Sequence, residues 1–238
     1  MCFGFLPEVF LKEGILRGGA NPIYNAKEAL FSRAPGQEVC MRLSQTISAD
    51  EMVAHFLRTE IRSLRFEDAI LDLLAKDGKD RALVDSPDLH DPTENAYRAA
   101  LLGEWRGYGR DKDVFKGFPD DVVWYRAVLD RADWERVLYI NDEDFWNEFS
   151  GGSRLVRDAV ERIHAEEAPA EEAAWFWPIA DALAQGRTFP ELILVYNPTT
   201  EELVLLEGHV RMTGFLLRPE NLPPELPVLL GVSPHMKK

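Results

Sequence analysis

The chain has 238 residues, of which 46% are hydrophobic, 11% aromatic and 29% charged. That is enough apolar material for one large domain or two small ones, and it excludes a disordered or low-complexity chain. The 27 Lys and Arg against 41 Asp and Glu give a formal net charge of −14, so the overall field repels duplex DNA and anionic lipid.

The acidity is uneven: residues 121–238 hold 11 basic and 21 acidic groups. Only Cys2 and Cys40 occur, which excludes a disulfide framework and a CxxC metal pattern. Residues 2–11 are apolar but contain Pro7 and Glu8 and no basic stretch, so they do not read as a cleaved signal peptide. No run reaches the roughly 18 apolar residues of a membrane-spanning helix, and a cytoplasmic location without membrane partners is the expectation.

In chain order, residues 1–35 mix apolar positions with Gly and Pro and predict irregular structure. Ser48 followed by Glu51 has the capping-box spacing, and Met52, Val53, Phe56, Leu57 and Ile61 continue at helical intervals. A second helix is predicted over 66–76 and ends at Asp77-Gly78. Residues 77–92 predict a long polar loop. Residues 93–108 predict a third helix, with Tyr97, Leu101, Leu102 and Trp105 inward. Residues 1–120 thus read as a mainly helical region.

From about Asp121 the period changes. Residues 122–129 are rich in β-branched and aromatic side chains, and 136–140 predict a second short strand. Helices are expected over 153–164 and 174–185, the latter despite Pro178. Residues 192–196 and 203–206 flank Asn197-Pro198-Thr199-Thr200 and predict a hairpin. A helix over 209–217 and a strand over 228–232 follow. The expected fold class is α+β: a small mixed sheet in residues 121–238, with the helical region 1–120 docked on it.

The segment with most chemical content is Glu207-Gly208-His209-Val210-Arg211, between a buried strand and a helix. A helix N-terminus offers unpaired N–H groups and the positive end of the dipole to a phosphate or carboxylate. Gly208 permits close backbone approach, and His209 and Arg211 add donors. The competing reading is a tight turn in which Glu207 and Arg211 pair with each other. Glu104-Trp105-Arg106-Gly107-Tyr108-Gly109-Arg110 combines arginines and aromatics. Arg106 and Arg110 could extend the anion site, or the loop aromatics could simply pin the structure together. Ser150-Gly151-Gly152-Ser153-Arg154 is a weaker anion candidate, explained equally by N-capping from Ser150 or Ser153. The acidic trio Asp142, Glu143 and Asp144 could hold Mg²⁺ or act as a base, but reads more simply as a solvated loop. His55, His90, His164 and His235 read as packing or surface residues, and Trp175, Phe176 and Trp177 as core.

The order strand, strand, helix, strand, strand, Glu207-Gly208-His209-Val210-Arg211, helix, strand resembles the ParB/sulfiredoxin-like group over residues 121–233. The five-residue turn is similar to the D-G-H-H-R of free-serine kinases in that group, and it shares Gly208 and Arg211 with the G-E-R-R of ParB proteins. Sulfiredoxins carry G-C-H-R, whose cysteine would fall on His209, so peroxiredoxin repair is excluded. The resemblance implies a turn that holds nucleotide phosphates (ATP, ADP or CTP), with Mg²⁺ as a companion. It also implies phosphoryl transfer to a small molecule, with Glu207 and His209 as the catalytic pair and Gly208, His209 and Arg211 as ligand-binding residues. The alternative is a module that senses a nucleotide or contacts a protein without catalysis. A nuclease fits the charge least well. Nothing here fixes the oligomeric state.

Overall fold

The computed structural model describes residues 41–63, 65–141 and 145–238. The expectations for residues 1–35, for Cys2 and Cys40, and for Asp142, Glu143 and Asp144 lie outside the described residues. Strand β1 (Arg42–Ile47) leads through Ser48 into helix α1 (Ala49–Glu60). Ser48 accepts the Glu51 N–H at 3.1 Å. The reciprocal half of the capping box is not made, because the Glu51 carboxylate goes to Arg126 at 2.5 Å instead. Helix α2 (Glu67–Lys76) stops at Asp77, and the segment read as a long loop contains a single-turn helix, α3 (Ala82–Asp85). Helix α4 (Pro92–Arg106) starts on Asp91, which accepts the Thr93 and Glu94 N–H groups, and has Pro92 in its first turn, where the missing donor costs nothing.

Strand β2 (Val123–Leu129) is followed by the short helix α5 (Arg131–Trp134) and strand β3 (Val137–Leu138). Then come α6 (Phe145–Phe149), α7 (Val156–His164), α8 (Ala170–Ala173) and α9 (Trp177–Ala184). Pro178 falls in the first turn of α9, which reconciles it with a helix. The predicted hairpin is present as β4 (Leu192–Asn197) and β5 (Glu202–Glu207). It is closed by Asn197 Oδ1, which accepts the Thr199 and Thr200 N–H groups at 2.8 and 3.3 Å. Helix α10 (His209–Leu217) and strand β6 (Leu226–Val232) complete the chain as read.

The sheet order is β1-β2-β6-β4-β5-β3. β1 and β2 pair antiparallel, as do β2 with β6 and β4 with β5, while β6 with β4 and β3 with β5 are parallel. The chain is therefore a mixed α/β protein built on a mixed six-stranded sheet. The sheet takes its first strand from residues N-terminal to 120, a strand absent from the sequence reading, and the described residues form one compact unit. Alternating residues of β4 and β5 face opposite sides. Ile193, Val195, Val204 and Leu206 join Phe56 and Leu57 of α1 and Leu101 and Leu102 of α4 in the main core. Every residue of β4 is buried, as a central strand covered on both faces requires.

The aromatics after α4 pack in sequence: Tyr108 and Phe118 lie edge-on to Phe115 at 5.0 and 5.1 Å, and Phe118 stacks on Trp124 of β2. The loop thus ties α4 to the sheet. Phe176 is fully buried, but Trp175 is 51% exposed, so the aromatic trio is only partly core. Among the described residues no helix is long and apolar enough to cross a membrane.

Candidate functional site

The turn between β5 and α10 is set by Gly208, whose φ of 103° lies in the left-handed region that favours glycine. A Cβ there would overlap Leu192 Cδ2 and press on Arg211. Gly208→Ala is therefore expected to cost about 1–3 kcal/mol from backbone strain plus the displacement of buried Leu192. Equilibrium urea unfolding of the two proteins measures it.

Arg211 is buried and fully engaged. One Nη donates to the Pro190 carbonyl at 2.5 Å and the Glu191 carbonyl at 3.3 Å, and the other pairs with Glu207. The competing reading of the turn, an internal Glu207–Arg211 pair one helical turn apart, is the observed geometry. The pair pins the lead-in to β4 against the head of α10.

His209 sits in an aromatic stack: Trp146 lies 5.0 Å and Tyr139 6.0 Å from its ring, both nearly parallel. Its Nε2 is buried with no hydrogen-bond partner among the described residues. Burial, with Arg106 and Arg211 nearby, pushes its pKa down to about 3, so the imidazole is neutral at pH 7. The backbone oxygen of His209 accepts from Thr213, whose hydroxyl also meets Tyr139 at 2.6 Å.

The two loop arginines part company. Arg106 lies within electrostatic reach of His209 but is held by Glu60, through Nε at 2.8 Å and Nη2 at 2.5 Å, and stacks over Phe66 and Trp105. Glu60 is buried and also accepts from the Trp105 indole. Burial raises its pKa, against the pull of Arg106. Arg110 turns away to an exposed pair with Glu104. The Ser150–Arg154 turn holds itself: Ser150 Oγ accepts the Arg154 N–H at 2.9 Å, and Ser153 Oγ accepts that of Leu155. Neither serine is the N-cap of α7, a position taken by Leu155 without a side-chain bond.

Three polar residues around the turn had no motif to mark them. Glu191 bridges the site: its carboxylate receives Arg126 at 3.0 Å, and its carbonyl receives His55 Nε2 at 2.8 Å as well as Arg211. His55, buried and with its pKa lowered by burial, is thus a packing residue with a defined bond. Glu60 is the third. All three come from segments far from 207–211 in sequence, so only the helical period of α1 could have hinted that His55 and Glu60 face inward. Among the described residues no group of three or more His, Cys, Asp or Glu side chains is arranged to hold a metal ion.

No family model, curated protein or solved structure matches the chain.

Proposed function

We propose that this protein is a non-catalytic anion-binding module of the ParB/sulfiredoxin-like kind, with a nucleotide phosphate (ATP, ADP or CTP, with or without Mg²⁺) as its ligand at the head of α10. The reading rests on one observation. The first-turn N–H groups of α10 have no side-chain cap, while the groups a phosphotransferase would use are committed elsewhere. The Glu207 carboxylate is held by Arg211, and the His209 imidazole, its pKa pushed down to about 3, is a weak base with no proton to donate at pH 7. What the turn offers an anion is backbone donors and the helix dipole, which bind charge without moving protons. The hairpin, Gly208 turn, helix and last strand follow in the element order on which the resemblance rests, which supports this reading.

The test is a thermal-shift titration of wild type and Val210→Asp against ATP, ADP, CTP and inorganic phosphate. An acidic residue in the first turn of α10 suits the dipole, so the variant folds, but it repels an incoming phosphate. At about 100 times Kd a ligand adds ~2.7 kcal/mol, a rise of roughly 5–10 °C in Tm for a chain of this size. The wild type should show that rise and Val210→Asp should not. No rise in wild type, an equal rise in the variant, or multiple-turnover phosphate release would overturn the proposal.

A further inference from the structure

At the other end of the β4–β5 hairpin, roughly 17 Å along the strands from Gly208, the chain forms a cleft of about 590 Å³. Its walls are the hairpin turn, the segment after β3, the loop after α4, and residues 234–238. The lining holds four cationic side chains, including Lys116, Arg154 and Lys237, against two acidic ones, Asp113 and Glu202. In a chain of net charge −14, a cation-rich cleft runs against the overall composition.

Among the described residues the charges in this cleft are only partly balanced: Glu202 acts electrostatically on Arg154, while Lys116 and Lys237 are exposed. Arg154 is fixed by its own backbone: its carbonyl accepts the Tyr139 N–H at 2.7 Å, and its Nε and Nη2 donate to the Tyr139 carbonyl at 3.2 and 2.9 Å. Nη2 also reaches the Lys238 main-chain oxygen at 2.5 Å. The Tyr139 carbonyl satisfies hydrogen bonds but carries no counter-charge, whereas the oxygen of Lys238, the final residue, belongs to a carboxylate and does. Of the two carboxylates of the cleft, Glu202 accepts from Thr200 at 2.9 Å and also acts electrostatically on Arg154, and Asp113 lies 3.9 Å from Arg106. Among the described residues none of Arg154, Lys116 and Lys237 forms an ion pair with a side chain.

We infer that this cleft is a second binding site, for a small organic phosphate. The exposed ammonium groups of Lys116 and Lys237, beside the fixed Arg154 guanidinium, match a phosphate ester's charge and its spread of oxygens. The volume falls within the range of small-molecule sites, about 300–1,000 Å³, and exceeds what a bare phosphate fills. Asn141 and Thr199 on the same walls supply neutral polar groups suited to sugar hydroxyls. The inference does not depend on the turn at Gly208.

Isothermal titration calorimetry with AMP, ribose 5-phosphate, inorganic phosphate and uncharged ribose tests it, on wild type, Lys116→Ala/Lys237→Ala and Val210→Asp. Both lysines are exposed and free of ion pairs, so the double variant keeps the wild-type Tm. At least one ester should bind wild type at one cleft site, about tenfold or more weakly in the double variant, and unchanged in Val210→Asp. Ribose should give no heat. Any of three results overturns the cleft: no ester binding at millimolar concentration, equal affinity in the double variant, or a loss confined to Val210→Asp, which assigns the ligand to the turn. Inorganic phosphate binding as tightly as the esters overturns the organic ligand.

Discussion

Below pH 6.5 the folded protein should lose stability at about 1.4 kcal/mol per pH unit through a single side chain, His209. Its imidazole has a pKa of about 3 in the folded state, where burial and two neighbouring arginines exclude the proton, and an ordinary value near 6.5 once unfolded. Between those values the unfolded chain binds a proton that the folded chain refuses, so lowering the pH favours unfolding. The stability in question is present above about pH 6.5 and lost as the pH falls toward 3. By pH 4.5 the loss attributable to His209 reaches about 2–3 kcal/mol. Carboxylates titrate over part of the same range, so the measurement is a difference: urea unfolding of wild type and His209→Phe at pH 7, 6, 5 and 4.5. Phenylalanine keeps a ring against Trp146 and Tyr139 and removes the unpartnered buried nitrogen. The variant should gain on wild type steadily as the pH falls. Parallel stability curves would mean that the imidazole takes up its proton in place.

Replacing Arg98 by Ala should destabilise the protein by about 3–5 kcal/mol, the usual penalty for breaking a buried charged network. Arg98 has no exposed surface, yet it holds four acceptors: Glu94 at 3.0 Å, Asn95 Oδ1 at 2.5 Å, and the carbonyls of Leu83 and Asp88 at 3.1 and 2.8 Å. It therefore ties the segment around α3 to α4, and without it the Leu83 carbonyl and the Asn95 amide oxygen lose their donor, while the Asp88 carbonyl keeps only the Asp91 N–H at 3.4 Å. A drop in Tm of about 10 °C follows for a chain of this size. Arg98→Lys should recover little of it, because one ammonium cannot reproduce the planar fork that meets carbonyls on two sides. Calorimetric melting of the three proteins decides the matter. A loss below about 1 kcal/mol in Arg98→Ala would show that water replaces the guanidinium and that the network is incidental.

What could be read from the sequence follows from how each segment is buried. The hairpin and α10 were legible because two apolar runs flank a turn whose Asn197 bonds its own backbone, and because Gly208 marks the start of the helix. β1 was not, since of Arg42–Ile47 only Ile47 is buried and an edge strand with so little covered surface has no alternation to detect. α3 and α5 escaped because a single turn is too short for a helical period, although Asp130 closes a full capping box at the head of α5. Trp175 was misread because composition cannot say which of three adjacent aromatics faces the core.

At the turn, the residues were found but not their state. Glu207 and Arg211 are four apart on the chain, a spacing equally compatible with a mutual pair and with an arginine free for a ligand. The choice is made by Pro190 and Glu191, whose carbonyls hold the guanidinium in place. Arg154 shows the opposite case. It was noticed only as the end of a glycine-containing turn, while the cleft it faces is assembled from segments scattered over 113–238, beyond the reach of any local motif.

The position of β6 has a consequence for biosynthesis. It lies between β2 and β4 and, among the described strands, is the one that joins the β1-β2 pair to the β4-β5-β3 group. While the ribosome is still adding the residues before Leu226, the nascent chain can form two sub-sheets, each with an open edge. One of those edges is β4, six consecutive side chains that are all buried in the finished protein. Until β6 arrives, the emerging polypeptide exposes an apolar, hydrogen-bonding template of the kind that recruits strands from neighbouring chains. The interval between translation of β4 and of β6 is therefore when this protein most needs a chaperone.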